Sequence, residues 1–155
     1  MNLELTWLNC LWLILPLLLW NIIFGSKITQ EQITSDAHSP AWLLGAENIF
    51  RLATFILPLL LPLRVNSETY LGKIGLGFYS VGTLIYFASW LPLIYAPQSA
   101  WSRSIAGLFA PRLTPYLSLL GIAFITQSWQ YGLLAAIFIF FHTLHGIQNM
   151  QNGLA

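Results

Sequence analysis

Charged residues occur in a few short segments of the chain, and long uncharged stretches separate them. No Asp, Glu, Lys or Arg occurs from Leu5 to Ser26, from Ile74 to Ser102, or from Leu113 to Ala155. A helix that crosses about 30 Å of hydrocarbon needs about 20 residues. The last stretch, 43 residues long, can therefore hold two such helices. The pattern predicts an all-α fold, a polytopic transmembrane helical bundle.

Five spans are predicted, and together they form a single integral membrane domain over residues 1–155. Ser39 and Pro40 favour a helix start, with Ser39 as the N-cap and Pro40 in the first helical position. Pro58 and Pro62, four residues apart, should bend or loosen the last two turns of the second span. The predicted spans are 5–24, 41–63, 70–95, 111–127 and 129–148, with a polar loop at 26–39.

The fourth span is the shortest, and it has a competing interpretation. Residues 111–127 form a helix of about 25 Å, with Arg112 extending from its first turn towards the headgroups. The segment before it, 96–111, is predicted as a loop with a short interfacial helix. If the fourth segment is instead re-entrant or interfacial, the chain has only four spans.

The composition excludes a soluble protein. Charged residues make up 7% of the chain and hydrophobic residues 57%, whereas a soluble domain carries about 25% charged residues. The net charge is +1 and no basic patch is present, so no nucleic-acid partner is expected. The expected partners are membrane lipid and either a second copy of the chain or another membrane subunit.

The basic residues give a preference for orientation, because they concentrate on the cytoplasmic side of membranes. With five spans, the preference is for an N-terminus outside and a C-terminus inside, in a plasma membrane. One side then carries Lys27, Arg103 and Arg112, with Arg51 close to it, and the other carries Arg64 and Lys73.

Polar residues inside the spans mark the candidate functional site, since an ionisable group in a span is costly. Glu47 and Arg51 share one helix face at i,i+4 spacing, and His142, His145 and Asn149 share another. If all five spans cross, the second span begins on the side where the fifth ends. Both groups then lie in the same leaflet. The candidate site comprises Glu47, Asn48, Arg51, His142, His145 and Asn149.

The chemistry of this group favours neither a metal site nor an enzyme active site. Zinc needs three or four ligands, and Glu47 is also the natural partner of Arg51, so no metal site is predicted. Two histidines on one helix do not suit bis-histidine haem, and no cofactor is expected. The chain has no HExxH, GxSxG or phosphate-loop motif, so no catalytic residue is assigned.

Several functions fit this pattern. We expect a small multi-pass membrane protein that binds an apolar or amphipathic small molecule, or an accessory membrane subunit. The alternatives are an oligomeric transporter or channel and, with less support, a membrane-embedded His/Glu enzyme. In a purely structural interpretation, the Glu47–Arg51 pair only fixes the packing of the helices. The ring nitrogens of the two histidines are then hydrogen-bonded by backbone groups or by water.

Overall fold

The protein is an all-α helical bundle, as the sequence predicts. The computed structural model describes residues 7–36, 39–63 and 69–153, with the backbone alone for 25–36 and 150–153. These residues contain no strand. The helices are α1 (Leu11–Asp36), α2 (Ala41–Ile56), α3 (Tyr70–Tyr95), α4 (Ile105–Leu113), α5 (Pro115–Ile125) and α6 (Trp129–Gly153), and a 3₁₀ segment, Leu57–Leu60, follows α2.

The length and apolar character of the helices suit a membrane. Within the described residues, four helical segments are long and apolar enough to cross one: Ala41–Leu60, Tyr70–Tyr95, Ile105–Ile125 and Trp129–Asn149. Helix α1 adds a shorter apolar stretch, Leu11–Phe24, whose 14 residues extend about 21 Å. Large apolar side chains are exposed on several helices, as expected of a surface that faces lipid.

Contacts between α1 and α3 show that these two helices run in the same direction. The Tyr79 hydroxyl of α3 donates to the Leu13 carbonyl of α1 at 2.8 Å. Two turns further along both helices, the Tyr86 hydroxyl donates to Asn21 Oδ1 at 2.5 Å. Both partners therefore advance together along the chain, which defines a parallel pair.

Helix α2 is antiparallel to both α1 and α6. The Leu61 carbonyl, just after the 3₁₀ segment, accepts from the Cys10 amide at 2.9 Å, so the start of α1 lies beside the end of the α2 segment. The Tyr131 hydroxyl, in the first turn of α6, donates to the Thr54 carbonyl near the end of α2 at 3.3 Å. Helix α6 thus ends where α2 begins.

Helices α3 and α5 touch backbone to backbone through glycine. A Cβ atom at Gly82 would lie 2.6 Å from the Ser118 amide nitrogen, and one at Gly75 would lie 2.8 Å from that of Ile125. The Thr83 and Ser118 hydroxyls are hydrogen-bonded at 3.1 Å. Small residues permit such close approach in lipid, and here they fix α5 against α3.

The first predicted span and the polar loop after it need correction. Helix α1 begins at Leu11, and it continues through the predicted loop to Asp36. A single glycine, Gly25, costs a helix only about 1 kcal/mol, and no proline follows it until Pro40. The predicted loop at 26–39 is therefore wrong over most of its length. Residues 5, 6, 37 and 38 of these two predictions lie outside the described residues.

The two ends of the second predicted span behave differently. At its end, the α-helix gives way to the 3₁₀ segment at Pro58, so the predicted loosening is confirmed. At its start, Pro40 occupies the cap position with φ −58° and ψ 133°, and Ala41 is the first helical residue. The predicted Ser39 cap is wrong, and the Ser39 side chain has a different partner.

The fourth predicted span begins too late. Ser104 caps α4 by accepting from the Gly107 amide at 3.0 Å, and α4 continues into α5 across Thr114, which keeps a helical conformation. The break arises because Pro115 has no N–H to donate to the previous turn. Ile105–Ile125 is 21 residues long, about 31 Å. The predicted interfacial helix is therefore the first part of a segment long enough to cross.

Helix α3 begins and ends at the residues predicted for the third span. The tight turn predicted after the fourth span is also present, with Gln127 at φ 50°. Helix α6 begins at Trp129 as predicted and continues beyond the predicted end to Gly153.

The glycine contact between α3 and α5 gives the first testable prediction. We expect Gly82→Ala to destabilise the bundle by about 1–3 kcal/mol, because its methyl group must displace the α5 backbone. Gly77→Ala, on the same helix, is the matched control, since its Cβ would meet nothing within 4 Å. The midpoint of thermal unfolding in detergent should fall for Gly82→Ala alone. Equal midpoints would contradict the close packing of α3 on α5.

Candidate functional site

The centre of the site is a buried carboxylate, Glu47 of α2, which is 1% exposed. Its Oε1 accepts from the Arg51 guanidinium one turn along α2 and lies 2.8 Å from His142 Nδ1 of α6. Its Oε2 lies 2.5 Å from His145 Nδ1. A charge inside an apolar bundle is tolerated when it is paired and hydrogen-bonded, and both oxygens of Glu47 meet that requirement.

Helix periodicity and the antiparallel arrangement of α2 and α6 bring these side chains together. Glu47 lies six residues after Ala41, about 9 Å from the start of α2, and His145 lies about 6 Å before Asn149 in α6. Since α6 ends beside the start of α2, the two helices present their polar side chains at similar depth. The two histidines, three residues apart, face Glu47 from adjacent turns.

Aromatic rings hold α2 against α6 next to the site. Phe50 of α2 stacks on Phe141 of α6 with ring centroids 5.5 Å apart, and Phe55 meets Phe138 at 6.0 Å. The His142 ring also stacks on Phe138 at 5.5 Å. These contacts restrict the rotation of the His142 ring and keep its Nδ1 directed at Glu47.

A chain of hydrogen bonds supports His145 from the side opposite Glu47. The Asn149 amide lies 3.0 Å from His145 Nε2, and the Ser39 hydroxyl donates to Asn149 Oδ1 at 2.7 Å. When His145 is neutral, its Nδ1–H donates to Glu47 and its Nε2 accepts from Asn149. The network therefore sets the tautomer of His145 and links α6 to the residue just before α2.

A cavity of about 60 Å³ opens beside this network. Arg112 of α4 brings a second guanidinium to its wall. The aliphatic and guanidinium atoms of Arg112 pass over Gly146, where an added Cβ would lie 3.1 Å from Cδ and 3.3 Å from a terminal nitrogen. The cavity is lined by Glu47, Arg51, Arg112, His142, His145, Gly146 and Asn149.

A second, apolar cavity of about 340 Å³ lies on another face of α6. Tyr116, which follows Arg112 by one helical turn, forms part of its wall. Both cavities are therefore bounded by α6 and by the segment formed by α4 and α5. The apolar cavity is lined by Tyr116, Ala136, Ile139, Phe140, Thr143, Leu144 and Ile147.

The structure brings five of the six predicted site residues together: Glu47, Arg51, His142, His145 and Asn149. The sixth, Asn48, is exposed and does not line the cavity. This follows from helix geometry, because the residue after Glu47 is rotated by about 100° around the helix axis.

Sequence reasoning missed Arg112, Gly146 and Ser39. The sequence predicts Arg112 in the first turn of a span. Because α4 begins earlier than predicted, at Ile105, Arg112 lies about 10 Å along the helix from its start. Gly146 lies four residues after His142 and so shares its stripe, a signal that was available. No sequence signal linked Ser39 to Asn149, because the two are 110 residues apart.

Among the residues that the structure describes, no group of three or more His, Cys, Asp or Glu side chains is arranged to hold a metal ion. Both histidines direct Nδ1 at a carboxylate oxygen. What the cavity offers to a ligand is mainly hydrogen-bond donors, from the guanidinium groups of two arginines.

The buried carboxylate gives the second prediction. We expect Glu47→Gln to lower stability by about 3 kcal/mol, because it keeps the shape but removes the charge that three donors share. Asn48→Ala, at the exposed neighbouring position, is the control and should change stability by less than about 0.5 kcal/mol. Thermal unfolding in one detergent measures both. A Glu47→Gln variant as stable as the parent protein would show that the network is not structurally required.

Comparisons with protein-family models, with curated proteins and with solved structures give no match to this chain.

Proposed function

We propose that this protein binds an amphipathic small molecule within the membrane and has no catalytic role. The observation that carries the proposal is the pair of cavities, one polar and one apolar, against the same helix, α6. An amphipathic molecule has a polar head and an apolar body, and the two cavities supply an environment for each. We place the head in the cavity beside Glu47 and the body in the cavity beside Phe140.

The polar network supports a binding role. Glu47 accepts hydrogen bonds at both oxygens. Three donors share its roughly four lone-pair positions, so it is poorly placed to act as a general base. The rings of His142 and His145 are held by Phe138 and Asn149 respectively. Such fixed side chains give a preformed site, which lowers the entropic cost of binding.

The apolar cavity is suited to the apolar body of an amphipathic ligand. Its wall consists of aliphatic and aromatic side chains, with Thr143 as the exception. Phe140 is 62% exposed, so this cavity is accessible from the surface of the bundle. A ligand dissolved in the lipid could therefore enter sideways, without passing through water.

We also propose that the protein lies in a plasma membrane with its N-terminus outside and its C-terminus inside. The alternating directions of the helices place Lys27 and Arg103 on the side where α2 begins and α6 ends, while Lys73 lies on the other side. Arg64, which also counted towards the other side, lies outside the described residues. In this orientation the polar cavity belongs to the cytoplasmic half of the bundle.

Filling the apolar cavity tests the binding proposal. We expect Ala136→Trp to abolish retention of amphipathic molecules that copurify from cell membranes in mild detergent, because the indole occupies the space of the ligand body. Native mass spectrometry would detect the bound species.

Leu84→Trp is the matched control for this experiment, because Leu84 is 68% exposed on α3 and lines neither cavity. It should retain ligand as the parent protein does. A parent protein that carries no amphipathic molecule, and binds none when a mixture of membrane lipids is added, would refute the proposed function.

Cysteine labelling tests the orientation and the crossing of the fourth segment. Gln98 and Gln127 are exposed and flank the segment formed by α4 and α5. In a Cys10→Ser background, we expect Gln98→Cys to react with an impermeant maleimide only after the membrane is opened, and Gln127→Cys to react in intact cells. The reverse pattern would overturn the orientation, and labelling of both from one side would show that the segment does not cross.

A further inference from the structure

We infer that the cavity beside Glu47 recognises an anionic group of the phosphate or carboxylate class. This inference rests on the proposed function and deepens it, since it specifies the head of the amphipathic ligand. It follows from four features of the cavity: the balance of donors and acceptors, the net charge of its wall, the shape of its donors and its size.

The balance of donors and acceptors favours an anion. Glu47 is the carboxylate of the cavity, and its two oxygens already accept from Arg51, His142 and His145. The guanidinium of Arg51 binds Glu47 through one terminal nitrogen, and its side chain is 41% exposed. A guanidinium carries five N–H groups, so Arg51 has more donors than its contact with Glu47 uses.

The net charge of the cavity wall also favours an anion. Among the described residues that line the cavity, Arg51 and Arg112 carry two positive charges and Glu47 carries one negative charge. The wall is therefore at +1 with both histidines neutral, and more positive when either is protonated. In the weakly screened interior of a membrane protein this charge attracts an anion. Among the described residues that line the cavity, Glu47 is the acidic group that a cationic ligand would meet, and it is already paired.

The shape of the donors selects the class of anion. A guanidinium presents a planar fork of N–H groups that matches the spacing of oxygens in carboxylates and phosphates. Arg51 on α2 and Arg112 on α4 line the cavity from two different helices, and His142 lines it from a third, α6. An anion with two or more oxygens could bridge these helices.

The size of the cavity fits a small anionic group. A volume of about 60 Å³ holds roughly four water molecules, which is close to the size of a carboxylate or a phosphate. Glu47 lies about 9 Å from the start of α2, a depth that stays within one leaflet of a hydrocarbon core about 30 Å thick.

Gly146 controls the position of Arg112. A methyl group there would lie 3.1 to 3.4 Å from three atoms of the Arg112 side chain. The side chain would have to shift by a few tenths of an ångström. Gly146→Ala therefore displaces the guanidinium without removing its charge, which separates the geometry of the site from its net charge.

The test compares lipids with identical acyl chains and different heads. The protein is reconstituted in phosphatidylcholine nanodiscs, and retention of added phosphatidic acid, phosphatidylcholine and diacylglycerol is measured by native mass spectrometry. We expect phosphatidic acid to be retained at least tenfold more strongly than diacylglycerol. Arg112→Gln should reduce that preference at least tenfold, and Gly146→Ala should reduce it severalfold.

Two matched controls accompany these variants. Arg103→Gln removes an exposed charge from the loop before α4, so it tests general attraction of anionic lipid to basic residues. Gly45→Ala adds a methyl group that meets nothing within 4 Å. Both should preserve the preference for phosphatidic acid. If Arg112→Gln fails to fold, the comparison of Gly146→Ala with Gly45→Ala still decides the question.

A titration with inorganic phosphate, followed by calorimetry in a neutral maltoside detergent, distinguishes a lipid head from a free ion. Binding of phosphate alone that is lost in Arg112→Gln would identify a free anion as a sufficient ligand. Retention of phosphatidic acid without binding of phosphate would identify the headgroup of a lipid. Either result supports the inference.

The two proposals fail in different ways. Equal retention of diacylglycerol and phosphatidic acid, unchanged by Arg112→Gln or Gly146→Ala, would overturn the anion site and leave amphipathic binding intact. If no added lipid is retained and phosphate does not bind, both proposals are wrong.

Discussion

The buried carboxylate of Glu47 sets the main constraint on this fold. A charge that is 1% exposed inside an apolar bundle must find its hydrogen bonds within the protein. Arg51 is available on the same helix, but the second oxygen needs a donor from elsewhere. His142 and His145 supply the remaining bonds only when α6 ends beside the start of α2. The relative direction and depth of these two helices are thus tied to the satisfaction of one side chain.

The rest of the bundle gives this arrangement its rigidity. The stacked rings of Phe50 and Phe141 continue the contact between α2 and α6 away from the polar layer, and Tyr131 extends it to the other end. The glycine contact holds α5 against α3, and α5 carries α4 with it, so Arg112 reaches the cavity from a well-anchored segment. The polar site lies near one end of the bundle, where it costs least to keep charges.

The site was largely predictable because its main residues follow helical periodicity. The spacings of Glu47 to Arg51 and of His142 to His145 each define one face, and the alternation of spans brings these faces to the same end. The sequence pattern does not place Arg112 in the cluster, because the position of Arg112 depends on where α4 begins. The start of α4 is set by the Ser104 cap in a segment with mixed polarity. Ser39 could not be placed at all, since its contact with Asn149 depends on tertiary structure.

The separation of the site residues along the chain has a consequence for biogenesis. His142 lies 95 residues after Glu47, so α2 is synthesised and inserted well before α6 exists. During that interval the carboxylate has Arg51, one turn away, as its neutralising partner within the same helix. The helix can therefore enter the bilayer with no net charge from this pair. The histidines arrive with α6, the last helix among the described residues, and the polar network can be completed only then.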